Sequence, residues 1–144
     1  MSEHYALIVA RFYEELAERL IAGARDAFAR AGHTDLEIFD VPGAYELPLA
    51  ASYLARSGRF SGIACLGAVI RGETDHYEHV CAETARGIMQ VGLDSHVPCA
   101  FGVLTCQTMQ QALERSGGGK RDQGANAAEA VLAMVRLQQS LQSG

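Results

Sequence analysis

The chain has 144 residues, 49% of them hydrophobic and 20% charged, with a formal net charge of −5; this is the length of one domain and an ordinary composition for a packed core. Its 12 Lys and Arg residues are scattered, which leaves no nucleic-acid footprint. No apolar run nears the roughly 18 residues of a membrane span, and M-S-E-H-Y-A-L lacks the basic start and long apolar segment of a signal peptide, so the chain reads as cytoplasmic with no membrane role.

Residues 5–10 (Y-A-L-I-V-A) form a short apolar run suited to a first buried strand, ended by Arg11, Phe12 and Tyr13. Leu16, Leu20, Ala24, Ala27, Phe28 and Ala31 then recur at helical spacing, and Gly32 stands where a helix is stopped by a left-handed residue. Residues 36–41 (L-E-I-F-D-V) read as a second strand. Pro42 and Gly43 break it, and residues 46–56 resume helical spacing through Leu47, Ala50, Ala51 and Leu54 before Gly58.

Residues 63–70 are a nearly unbroken apolar run, the mark of a strand covered on both faces. Polarity then changes abruptly through Arg71, Gly72, Glu73, Thr74, Asp75 and His76. Asp75 and Glu78 have the spacing of a helix cap and its third-position carboxylate. The helix they start carries Tyr77, Val80, Cys81, Thr84, Ala85, Ile88 and Met89 on one face. Residues 97–105 read as a fourth strand with Pro98 near its start, followed by a short helix near residues 108–115 and the glycine-rich loop S-G-G-G-K-R-D-Q-G.

A last helix, from about residue 125 to 141, has two apolar stripes: Ala128, Val131, Leu132 and Val135 on one, Ala127, Ala130, Met134, Leu137 and Leu141 on the other. One sheet face cannot cover both, which points to an interface between copies of the chain. Strands alternating with helices give an α/β fold, a three-layer α/β/α sandwich around a four-stranded parallel sheet. The four cysteines, Cys65, Cys81, Cys99 and Cys106, lie in apolar segments without C-x-x-C spacing and read as reduced thiols.

In such a sheet ligands bind beyond the carboxyl ends of the strands. The residues there are Phe12, the segment V-P-G-A-Y-E, the segment R-G-E-T-D-H, and Thr105 with Cys106. An aromatic ring, a carboxylate, the amino end of a helix and a histidine suit a planar, hydrogen-bonding, partly phosphorylated substrate pair. Each residue also has a plainer reading: Phe12 as core, Glu46 as a first-turn carboxylate, Thr74 as a helix cap, His76 as a solvated helix-face side chain beside His79. His76-x-x-His79 has no third ligand at metal-binding spacing, so no metal site is expected.

Taken in order, A-R-F at residues 10–12, V-P-G-A-Y-E-L-P at 41–48, L-G-A-V-I-R-G-E-T-D-H at 66–76, F-G-V-L-T at 101–105 and Q-A-L-E-R at 111–115 resemble the signatures of the 6,7-dimethyl-8-ribityllumazine synthase family of riboflavin biosynthesis. The resemblance covers nearly the whole chain, residues 1–144, as one flavodoxin-like domain. It implies that Phe12 stacks on the pyrimidine of 5-amino-6-(D-ribitylamino)uracil, while Ala44, Tyr45 and Glu46 with Ala68, Val69 and Ile70 hold its ribityl chain and ring edge. Glu73, through its backbone, and Thr74 would hold the phosphate of 3,4-dihydroxy-2-butanone 4-phosphate. Phe101 would cover the ring, Arg115 would pair with the phosphate, and both would come from a neighbouring copy. His76 would transfer protons, and no cofactor is implied.

Three departures qualify the resemblance. Tyr13 stands where many relatives have Asn. The loop reads R-D-Q-G at residues 121–124 in place of the common G-N-K-G, which puts Gln123 where a substrate-binding lysine is usual. Only four residues precede Tyr5, too few for the leading strand of relatives that build icosahedral shells; a homopentamer is therefore expected, with a shell and riboflavin synthase as a partner protein left open. The alternative from another class is a flavodoxin-like module that binds a flavin or lumazine without turnover, which would need neither His76 nor Arg115.

Overall fold

The structure, a computed structural model, describes residues 3–72, 76–119 and 121–142. The four expected strands are β1 (Tyr5–Ala10), β2 (Leu36–Val41), β3 (Gly62–Ile70) and β4 (Cys99–Cys106), and all pair in parallel in the flavodoxin-like order β2-β1-β3-β4. The crossover helices are α1 (Glu14–Arg30), α2 (Leu47–Arg56) and α3 (His76–Ser95); α4 (Met109–Arg115) and α5 (Gln123–Gln142) follow β4.

Side chains alternate across the sheet, and each half of the alternation has its own core. Tyr5, Leu7 and Val9 of β1 point toward α1 and α5 and pack with Leu20, Phe28, Ala128 and Val131. Ala6, Ile8 and Ala10 point the other way, toward α2 and α3, and pack with Leu47, Ala51 and Ile88. Every β1 residue is buried, so this strand is the centre of both cores, and each large side chain buried there contributes about 1.5–3 kcal/mol. The three-layer α/β/α arrangement follows directly.

Local chemistry sets the ends of the elements. Gly32 has φ +92°, and the bonds from Gly32 N to Ala29 O (2.9 Å) and from His33 N to Phe28 O (2.9 Å) close α1 as a Schellman motif. β4 begins two residues later than the apolar run suggests, because His96 turns the chain at φ +63° and Pro98 has no N–H for the ladder. It extends to Cys106 because β3 continues alongside as far as Ile70. α5 begins at Gln123, ahead of the expected residue 125, because Asp122 Oδ1 accepts from Ala125 N at 3.1 Å and caps the helix before Gly124. The expected cap of α3, Asp75, lies outside the described residues.

Two further features position the ligand end of the sheet. Residues 44–46 form a single 3-10 turn before α2, in place of a continuous helix from residue 46. The fully buried Thr84 of α3 donates from Oγ1 to the Ala44 carbonyl at 3.3 Å and ties that turn to the neighbouring helix. α2 and α3 meet closely at Gly87, where a Cβ would stand 2.7 Å from Pro48 Cβ.

Candidate functional site

β1 lies between β2 and β3, so the crossovers leave it in opposite directions, and a crevice opens beyond the carboxyl ends of β1 and β3. A cavity of about 350 Å³ fills that crevice. Its wall comes from the end of β1 (Phe12, Tyr13), the turn after β2 (residues 43–46), the end of β3 (Ala68, Val69, Ile70, Gly72) and the first turn of α3 (His76, Tyr77, Val80). Eight of the residues singled out from the sequence therefore converge: Phe12, Ala44, Tyr45, Glu46, Ala68, Val69, Ile70 and His76.

Phe12 is 75% exposed, so the reading of it as a core residue is wrong. Its only ring neighbour among the described residues is Tyr13, met edge-on at 4.9 Å and 83°, which leaves the Phe12 faces open to a planar partner. Tyr45 is likewise 62% exposed at the rim. Arg11, just before Phe12, is tied by its side chain to Asp40 at 2.7 Å and to Glu18, and its backbone N–H donates to the Val41 carbonyl. The ends of β1 and β2 are fixed to each other beside the aromatic ring.

The Glu46 carboxylate accepts from Gly43 N at 2.9 Å, which is half of a capping box, since Gly43 has no side chain to return the bond. That contact sets its direction and leaves its remaining lone pairs for a ligand hydroxyl or N–H. Arg71, past the end of β3, reaches Glu78 at 2.5 Å and lies over the Tyr77 ring at 5.1 Å, bracing the first turn of α3 next to His76. Burial pushes the Tyr77 phenol above its ordinary pKa, helped by the neighbouring Cys81.

Neither Phe101 nor Arg115 lines this cavity. Phe101 belongs to a separate groove of about 700 Å³ between α3, β4 and α5. Arg115 lies at the end of α4, with Nη1 3.6 Å from Cys106 Sγ. Glu73 and Thr74 lie outside the described residues. The larger groove is the more apolar of the two and has few titratable groups, whereas the smaller combines an aromatic platform, a carboxylate and a histidine at the strand ends, where this fold class holds ligands. The smaller cavity is the candidate site on that ground.

Sequence reasoning missed Tyr77 and took little account of Tyr13, both of which line the cavity. Their signal was adjacency: each follows a recognised site residue in the chain. All four cysteines are free, with Cys65 and Cys106 buried and Cys81 and Cys99 half-buried. Burial pushes the Cys65 thiol far up and that of Cys99 up to about 11, so both stay protonated and inert near neutral pH.

The fold and cavity define an open, parallel α/β protein of the class that holds its ligand where the strand order reverses. A match to the family described as 6,7-dimethyl-8-ribityllumazine synthase spans residues 2–139. A protein of Desulfatibacillum aliphaticivorans bearing that same name is 44% identical over 137 residues, which cover 94% of this chain and 88% of that one. The chain belongs to the 6,7-dimethyl-8-ribityllumazine synthase family.

Proposed function

We propose that the chain is a transferase of riboflavin biosynthesis that condenses 5-amino-6-(D-ribitylamino)uracil with 3,4-dihydroxy-2-butanone 4-phosphate, giving 6,7-dimethyl-8-ribityllumazine, phosphate and water, and that it does so in the cavity between Phe12 and His76. The observation that carries this reading is the convergence there of an uncovered aromatic ring, an oriented carboxylate and a histidine, in a chain of this family. Phe12 stacks on the pyrimidine. Ala44, Tyr45 and Glu46 with Ala68, Val69 and Ile70 hold the ribityl chain and ring edge.

The 5-amino group attacks the ketone and one water leaves as the imine forms. A proton lost from the adjacent carbon lets the phosphate leave, and the ribityl-bearing nitrogen closes the ring on the carbonyl so unmasked with loss of a second water. No electrons are gained or lost overall, so positioning and proton transfer suffice. Holding two substrates in register replaces a bimolecular encounter and supplies much of the rate. His76 moves the protons, a task suited to an imidazole near neutral pH. Thr74 and the backbone of Glu73 receive the phosphate.

Phe101 and Arg115 complete the site from a second copy, in a head-to-tail ring of five. Two features support this: both residues are absent from their own chain's cavity, and the groove beside Phe101 leaves Met89, Leu93, Met134, Leu137 and Leu141 uncovered. Tyr45, Leu49 and Tyr53 recur every four residues as a second uncovered apolar row, so each copy has two different faces to bury. No helix among the described residues is long and apolar enough to cross a membrane, and the reading places the enzyme in the cytoplasm.

The test is to incubate purified protein with both substrates and follow lumazine fluorescence together with phosphate release. The reading expects one phosphate per lumazine, at a rate set by protein concentration. Binding of lumazine without acceleration over the protein-free mixture would make the chain a binding module instead.

A further inference from the structure

Arg19, in the middle of α1, reaches across to the carboxyl end of α4. Its Nε donates to Ser116 Oγ at 2.9 Å and its Nη2 donates to the Leu113 carbonyl at 2.9 Å. Ser116 is itself buried, and its hydroxyl donates to the Ala112 carbonyl at 2.9 Å. α4 has only seven residues, too few to hold its own shape in water. A guanidinium from another helix therefore takes up one of its last carbonyls, that of Leu113, and offsets the negative end of its dipole.

The loop after α4 is built around this contact. A Cβ at Gly118 would stand 2.8 Å from Arg19 Nη2 and 2.2 Å from the Leu113 carbonyl oxygen. Gly117 takes φ +96°, its N–H donates to the Arg121 carbonyl at 3.0 Å, and Arg121 N donates to the Glu114 carbonyl at 3.2 Å. The two residues that Arg19 grips, Leu113 and Ser116, bracket Arg115. Beyond the last turn of α4, a weak sulfur contact is the only hydrogen bond of the Arg115 side chain among the described residues.

We propose that Arg19 is a positioning residue for Arg115: it fixes the last turn of α4 and so aims the Arg115 guanidinium at the substrate phosphate. The inference rests on the reading above, in which Arg115 pairs with that phosphate. A fork that must meet phosphate oxygens at hydrogen-bond distance loses its advantage when its backbone is free to move.

Steady-state kinetics on the assembled enzyme test it, with Arg115→Ala as the reference. Arg115→Ala should raise the KM for the butanone phosphate by about 10- to 100-fold. Arg19→Ala should raise that same KM by about 3- to 10-fold, with the uracil KM unchanged and kcat within about twofold. In the double variant the KM should be no higher than with Arg115→Ala alone, since Arg19 acts only through Arg115. Arg19→Lys should lie between wild type and Arg19→Ala, because an ammonium can serve one of the two acceptors; it also decides the question if the alanine variant does not fold. If Arg115→Ala raises the KM while both Arg19 variants leave it at the wild-type value, the inference fails and the proposed function stands. If Arg115→Ala leaves it unchanged, the phosphate assignment fails and the inference with it.

Discussion

Phe12→Ala separates binding from packing more cleanly than any other single change in the cavity. The ring is 75% exposed and touches Tyr13 only edge-on. About a quarter of a side chain whose full burial is worth about 1.5–3 kcal/mol is at stake, or about 0.5 kcal/mol of stability. For a chain of this length that is a fall in Tm of about 1–2 °C. Stacking of a ring on an aromatic side chain is worth about 1–3 kcal/mol, which predicts a rise in the uracil KM of roughly 5- to 150-fold. The KM for the butanone phosphate should hardly change. Lumazine fluorescence at saturating butanone phosphate measures the first quantity, and a thermal melt the second. A variant that loses many degrees of Tm while keeping the wild-type uracil KM would show that Phe12 is a packing residue and refute the stacking role.

Three other outcomes follow from the same structure. His76→Ala should lower turnover by roughly ten- to a thousand-fold with an unchanged melt, because proton transfer is one part of the catalysis and positioning the other; full turnover would remove His76 from the mechanism. Met134→Asp should leave each chain folded, since the side chain is 52% exposed, but break the assembly into smaller species by sedimentation; an unchanged particle size would move the interface elsewhere. Glu37 accepts from His4 at 2.6 Å and from Arg59, and the His4 contact, then the Arg59 contact, hold its carboxyl below the usual glutamate range. A lowered folded pKa stabilises above the unfolded value, and that stability is lost as pH falls through the folded value. Glu37→Gln should therefore flatten the acid limb of a Tm-against-pH curve, and a limb as steep as wild type would show the contact to be without consequence.

How much of this was legible in the sequence depended on how local each signal was. β1 and β2 were read to the residue because apolar runs bounded by polar turns leave one choice of ends. β4 was misplaced by two residues at its start because a positive φ at His96 has no mark in composition. Helical spacing begins at residue 46 in the sequence, whereas Glu46 closes a 3-10 turn over residues 44–46 and α2 starts at Leu47, since a 3-10 turn and the first turn of an α-helix have nearly the same spacing. The second apolar stripe of α5 is uncovered at Met134, Leu137 and Leu141, as the reading of it as surplus to one sheet expects, but its first member, Ala127, is buried in the chain's own core. Ala85 and Met89 share a helix face with Val80 and Ile88 in sequence, yet they lie toward the open groove, because a helix packed on a sheet buries a narrower stripe than the pattern offers.

The cavity itself followed from one rule, that ligands lie beyond the strand ends, together with the order of the strands. Tyr13 and Tyr77 escaped because neither aromatic stands out beside Phe12 and His76 until the chain is folded. Phe101 and Arg115 could be assigned only through the resemblance, since no spacing within one chain joins them to the site.

The most direct test is whether the Phe12–His76 cavity of one chain works with Arg115 of the next. His76→Ala and Arg115→Ala chains, each poorly active alone, should be unfolded together in equal amounts and reassembled into mixed rings. Around a head-to-tail ring, about one site in four then draws an intact His76 from one chain and an intact Arg115 from its neighbour. Lumazine synthesis should rise toward that fraction of wild type. If the mixture shows only the mean of the two mutants despite verified exchange of chains, the site is not shared and the account is wrong.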